Sequence, residues 1–208
     1  MFWFTSDQHL FHKNILKFST NQRPYIHYEQ MSYDIIVKHN SKVGVNDTVF
    51  FLGDLAFGDR QNNLRKTLPF FNGRKYLILG NHDLGFKQLD SPKALKNHIE
   101  FYKSLGFIDV FPKGVILENI HPRLPERIRL SHFPYSENLK MGYDLGLEKF
   151  APTNDGLLLL YGHTHQTEAL KYKNSIHVGL DSWQCYPVSI EQVVQIFNSP
   201  EASHMFQK

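Results

Sequence analysis

Tyr76-Leu77-Ile78-Leu79-Gly80-Asn81-His82-Asp83 is the stretch on which the reading of this chain turns. Four apolar residues stop at a glycine, and three side chains able to bind a cation or carry a proton follow at once. A buried strand that ends this way delivers its chemistry to the edge of a sheet. Four more stretches repeat the pattern. Phe2 to Thr5 runs into Asp7-Gln8-His9, Thr48 to Leu52 into Gly53-Asp54, Ile128 to Leu130 into Ser131-His132, and Leu157 to Tyr161 into Gly162-His163-Thr164-His165. Layered α/β proteins collect their ligands beyond the carboxyl ends of their strands, where all five stretches fall.

Working outward, the patterning predicts strands over 2–6, 48–53, 75–79, 107–117 with a Pro-Lys-Gly turn inside, 127–131, 156–161, 175–180 and 187–190. Helices are predicted over 28–42, within 59–71, over 91–105 and over 191–197. Ser91-Pro92 reads as an N-cap followed by proline at the first helical position, with Gly106 past the end. Continuous apolar strands indicate sheets covered on both faces. The early half alternates strand and helix while the later half sets strands side by side, so the expected class is α/β with two packed sheets flanked by helices. Residues 133–156 include Pro134, Gly142, Gly146 and Pro152 and show weak periodicity; they are expected to form a long loop on the site side. Its Tyr135, Tyr143 and Phe150 suit either stacking on a base or packing the loop down.

The chain of 208 residues is expected to form one domain over 1–208, and its 41% hydrophobic content fits a sizeable core and not a disordered chain. A net charge of +3 favours an anionic partner, but its lysines and arginines, Arg123 and Arg127 among them, are scattered. Nucleic-acid binding usually needs a denser basic stripe, so nucleic acid is a possible partner that nothing specifically indicates. The lone Cys185 excludes an internal disulfide and a cysteine zinc site. With no basic, apolar leader and no run long enough for a membrane span, no membrane partner is expected and the expected location is the cytoplasm.

Asp7 and His9 lie two apart, as do His163 and His165, so in extended chain each pair points to one side. Gly53, Gly80 and Gly162 permit sharp exits from their strands. The candidate ligands are two carboxylates, Asp7 and Asp54, one amide, Asn81, and four imidazoles, His9, His132, His163 and His165. Seven ligands suffice for two divalent ions. An oxygen and nitrogen set without thiolate suits Mn²⁺ first, and also Fe, Ni²⁺, Co²⁺ or Zn²⁺, in a catalytic site. Such a pair, about 3.5–4 Å apart, can activate a shared water and neutralise phosphate oxygens. The expected partner is therefore a small phosphate ester or a nucleotide.

The ordered set Asp-x-His, Gly-Asp, Gly-Asn-His-Asp, His and Gly-His-x-His, from Asp7 to His165, resembles the calcineurin-like metallophosphoesterase family. That resemblance implies a four-layer αββα sandwich of two mixed sheets with helices outside. It implies that Asp7, His9 and His165 hold one metal, that Asn81, His132 and His163 hold the other, and that Asp54 bridges them. His82 would then stabilise the transition state and protonate the leaving group, with Asp83 either orienting it or capping a helix. The larger phosphatase branch often carries Gly-Asp-x-x-Asp-Arg-Gly at the second motif, whereas Gly53-Asp54-Leu55-Ala56-Phe57-Gly58 lacks that arginine. The amino-terminal string Thr5 to Ile15, with Arg23-Pro24, resembles a compact bacterial and phage branch, and there His12 and Arg23 would reach the phosphate. Asp181, after a late strand, is a candidate partner for a ligand histidine. The resemblance leans toward phosphodiesters. A phosphomonoesterase or nuclease on the same site, and a catalytically silent scaffold or binding protein on the same fold, stay open.

Overall fold

A computed structural model describes residues 1–140 and 144–206; Gly142 and Tyr143 of the long loop lie outside them. Chain order gives strand β1 (Phe2–Thr5), helix α1 (Ile15–Phe18), α2 (Tyr28–Asn40), β2 (Thr48–Phe51), α3 (Arg60–Thr67), β3 (Arg74–Ile78), α4 (Pro92–Ser104) and β4 (Phe107–Phe111). Then follow β5 (Val115–Glu118), β6 (Arg127–Leu130), β7 (Leu158–Tyr161), β8 (Ser175–His177), β9 (Val188–Ser189) and α5 (Ile190–Phe197). The first sheet has the order β4-β3-β2-β1-β9, parallel except for β9, and the second has the order β5-β6-β7-β8, parallel except for β5. These are the two mixed sheets flanked by helices that the sequence leads one to expect.

Period-two patterning builds the layers. Trp3, Val49, Phe51 and Leu77 face outward to meet Met31 and Ile35 of α2, Leu64 of α3 and Tyr102 of α4. Their neighbours Phe4, Phe50 and Ile78, with Leu52, turn the other way and pack between the sheets against Ile128, Leu130, Leu158, Leu160 and Ile176. Each such side chain, once buried, contributes roughly 1.5–3 kcal/mol. On the far face of the second sheet, Leu159 and Tyr161 are covered by Tyr135 and Tyr172. Tyr135 of the long loop therefore packs, and its hydroxyl donates to Leu157 O at 2.7 Å.

The 107–117 stretch divides between the sheets: β4 belongs to the first and β5 to the second, and Pro112-Lys113-Gly114 carries the chain across. Gly114, at φ 117°, lies so close to Leu130 O that a Cβ would come within 2.6 Å of it. At α4, Ser91 occupies the N-cap position and Pro92 the first turn, but the serine hydroxyl makes no capping bond. At α5 a full capping box forms, with Ser189 accepting from Gln192 N and the Gln192 side chain accepting from Ser189 N at 2.9 Å.

Candidate metal centre

The carboxyl ends of β1, β2, β3, β6 and β7 meet along one edge of the two-sheet stack. Past those ends the backbone is left-handed, with φ 60° at Asp7, 48° at His9, 57° at Asp54, 69° at His163 and 47° at His165. The paired candidate ligands thus leave the sheet through residues of positive φ, not through extended chain. Non-glycine residues held there cost on the order of 1–3 kcal/mol each, and such strain concentrates at functional sites. Glycines provide the room. Gly53 turns at φ 93°, while Gly162 serves by close approach, since a Cβ there would collide with the Ser6 hydroxyl and come within 2.6 Å of Asp7 Oδ2.

Asp83 fixes the exits of β2 and β3. Its Oδ2 accepts from Asp54 N at 2.9 Å and Gly80 N at 2.8 Å, and its Oδ1 accepts from Leu55 N at 2.9 Å. It neither orients the His82 ring nor caps a helix; it ties the exit of β2 to the exit of β3. Burial pushes its carboxyl up to about 6 against the pull of those three amides.

Side chains then converge. Asp7, His9 and His165 each offer a ligand atom within 4.8 Å of the others, and so do Asp7, Asp54 and His132. Asp54 faces both ways, with Oδ2 3.6 Å from His9 Nε2 and Oδ1 3.6 Å from His132 Nε2. Hydrogen bonds fix the tautomers. His132 Nδ1 donates to Leu52 O at 2.7 Å, and His165 Nδ1 donates to Asp181 Oδ2 at 2.8 Å, so each presents a bare Nε2 to the cluster. Asn81 Oδ1 lies 3.0 Å from His132 Nε2, setting acceptor against acceptor. His163 lies beside His132 at a ring separation of 5.1 Å and spends Nε2 on Asp144 Oδ1 at 2.9 Å, which leaves Nδ1 for an ion. Asp144 comes from the long loop, where nothing local in the sequence marks it.

This donor set fits divalent cations on three grounds. The buried Nε2 of His9 has no hydrogen-bond partner. Burial, reinforced by Asp83 and Asp7, holds the Asp54 carboxyl well above its ordinary range, and burial likewise raises Asp7. Burial and the neighbouring imidazoles hold His9 and His132 well below the ordinary imidazole value, and so neutral. Crowded buried carboxylates and bare imidazole lone pairs are both relieved by positive charge placed between them.

The other candidates lie around this cluster. His82 is half-exposed, with Nε2 3.9 Å from Asp54 Oδ2, and its main-chain N–H donates to Asp54 Oδ1 at 2.9 Å. Burial first, and then the neighbouring imidazoles and Arg60, lower its ring to about 4. His12 stacks on Phe57 at 3.7 Å and sets its Nδ1 3.1 Å from His9 Nδ1. Arg23 departs from expectation. It is fully buried and paired to Asp181 and to the carbonyls of Asp7 and Gln8, so it lies behind the ligands and has no path to a phosphate. Its non-local partner, 158 residues away, leaves no signal in the local sequence. Arg123 and Arg127 pair with Glu191 and Glu118.

The chain is similar to known proteins at three levels. The chain is 29% identical over 213 residues to the "Gene 66 protein" of Mycobacterium phage D29, covering 96% of each, and 30% identical over 201 residues to the "Gene 66 protein" of Mycobacterium phage L5, covering 87% of this chain and 86% of that one. In fold it resembles the crystal structure of the protein of unknown function AQ665 from Aquifex aeolicus, with a TM-score of 0.63, 22% identity, and coverage of 94% of this chain and 98% of that one. The model of the calcineurin-like phosphoesterase family matches residues 1–167, a span that takes in every strand end gathered at the cluster. The chain belongs to the calcineurin-like phosphoesterase family.

Proposed function

We propose that this chain hydrolyses phosphodiesters with two divalent cations, Mn²⁺ before Fe, Ni²⁺, Co²⁺ or Zn²⁺. Asp7, His9 and His165 hold one ion, Asn81, His132 and His163 the other, and Asp54 serves both. The observation that carries this reading is Asp54 turning one oxygen to His9 and the other to His132, each at 3.6 Å, beside a His9 nitrogen with no partner. When bound, the ions lower the pKa of a water and neutralise charge on phosphoryl oxygens.

The remaining chemistry belongs to the side chains. A His9 that gives Nε2 to an ion keeps its proton on Nδ1 and donates it to His12 Nδ1, so the His12 proton resides on Nε2, free to bond a phosphate oxygen. His82 stands neutral in the free protein. The negative charge of an arriving phosphate raises its pKa again, so that it can bond and then protonate the leaving oxygen. The lean toward diesters follows from charge. A monoester dianion calls for a further fixed cation; the arginine of the larger branch's second motif is missing, Arg23 is engaged internally, and Arg60, the arginine at the site, is bonded to the His82 carbonyl. A diester carries one negative charge and needs no such group. With Mn²⁺, bis(p-nitrophenyl) phosphate is expected to be hydrolysed in preference to p-nitrophenyl phosphate; the opposite preference overturns the diester assignment.

A further inference from the structure

Arg23 is an arginine with every donor engaged. Nε donates to Asp181 Oδ1 at 2.9 Å, Nη2 to Asp181 Oδ2 at 2.9 Å and to Asp7 O at 2.6 Å, and Nη1 to Gln8 O at 3.0 Å with Met31 Sδ at 4.0 Å. A guanidinium has five N–H groups, and these contacts use all five. Four of its bonds bear on one half of the cluster. The two carbonyl contacts grip the αL turn that carries Asp7 and His9, at φ 60° and 48°. The paired carboxylate of Asp181 accepts from His165 Nδ1 at 2.8 Å and so turns the bare Nε2 of that ring toward Asp7 and His9.

The side chains of the other half are oriented by different groups, and its main chain meets the first half where His163 N–H donates to Asp7 Oδ2 at 2.9 Å and His9 N–H to Asp54 O at 3.0 Å. His132 is fixed by Leu52 O, Asn81 lies against His132, His163 is fixed by Asp144, and Asp54 is fixed by Asp83 through its main chain. None of these bonds involves Arg23 or Asp181.

We propose that the buried Arg23–Asp181 pair is a positioning clamp for one ion only, the one held by Asp7, His9 and His165, and that it sets the difference in affinity between the two sites. The inference rests on the two-metal reading above and adds a division of labour to it. Arg23 and Asp181 touch no reacting atom; they act through the three ligands they hold.

The test is titration of Mn²⁺ into chelator-stripped protein by calorimetry, with bound metal counted by mass spectrometry, for the wild type, Arg23→Lys and the double variant Arg23→Met/Asp181→Leu. Lysine keeps the charge but lacks the fork, and the double variant removes both charges without leaving either alone in the interior. Each variant is expected to keep one Mn²⁺ at wild-type affinity and to lose about 10–100-fold at the other, the usual effect of removing a group that orients a ligand. His132→Ala provides the reciprocal case, weakening the ion that the clamp does not serve. If Arg23→Lys does not fold, the double variant decides. Variants that bind both ions as the wild type does, or that weaken both alike, overturn the clamp while leaving the two-metal reading in place. A wild-type chain that takes up no Mn²⁺ overturns both.

Discussion

At Asp54 and His82, two neighbours in space, substitution by alanine separates binding from chemistry. Asp54 turns one carboxylate oxygen to each histidine beside it, and both would lose a common anion at once. Asp54→Ala is therefore expected to abolish hydrolysis and to weaken both ions. His82 touches Asp54 in a different way. Its main-chain N–H, not its ring, bonds Asp54 Oδ1, and alanine retains that N–H. His82→Ala should keep both ions and lose rate by about 10²–10⁴-fold, as removal of a general acid does. Metal content and kcat measured on the same preparations check the pair, and metal loss in His82→Ala would make this residue a ligand. Asp83 shows why single-residue roles are hard to read from a motif. The string Gly80-Asn81-His82-Asp83 advertises four polar or small positions alike, but only the fold shows that the last one binds the backbone of another strand exit.

Elements built on continuous apolar runs were legible, because burial on both faces leaves its mark on most residues of β1, β2 and β7 and on the Tyr76–Ile78 end of β3. What the patterning lacked was partnership. Pro112-Lys113-Gly114 looks the same whether the chain turns back on itself or crosses to a second sheet, and four residues of α1 are too few to show a helical period. Histidines without a motif were also silent. His39 closes the last turn of α2 against the turn before β3: its Nε2 donates to Asn72 O at 3.0 Å, and its ring packs on Phe51 and Phe71. Burial lowers its pKa to about 4 from the ordinary imidazole value of 6.5. The unfolded chain therefore binds the extra proton first as pH falls. The stability this neutral imidazole contributes is whole above about pH 6.5 and declines toward pH 4, at up to about 1.4 kcal/mol per pH unit. His39→Gln retains a donor for Asn72 O but cannot titrate. Urea midpoints taken across that window should fall less steeply for the variant than for the wild type, and equal slopes would remove His39 from the acid response.

For the whole molecule, the cluster is a cost that cations convert into stability. Five ligands sit in left-handed backbone, and Asp7 and Asp54 are buried with carboxyls raised above their ordinary range. A carboxyl whose folded pKa exceeds its unfolded one supports the fold when protonated and loses that contribution as pH rises through the folded value. Without metal, then, these two groups weaken the protein most at neutral pH. Cations act in the opposite sense, since they bind the ionised carboxylates and neutral imidazoles that predominate there and are displaced by protons in acid. An ion present at 100 times its dissociation constant adds about 2.7 kcal/mol, and in a domain of this size each kcal/mol moves Tm by about 2–4 °C. Stripping with a chelator at pH 7.5 should thus lower Tm by about 5–10 °C for each such ion removed, with Mn²⁺ restoring the loss. The gap between loaded and stripped protein should narrow as pH falls toward 5. The same two ends of the stack, β1 to β3 of one sheet and β6 to β7 of the other, supply the candidate ligands, so bound ions would also join the sheets across the layer between them. A gap that is absent at pH 7.5, or that widens in acid, would mean that these carboxylates are not what the cations neutralise.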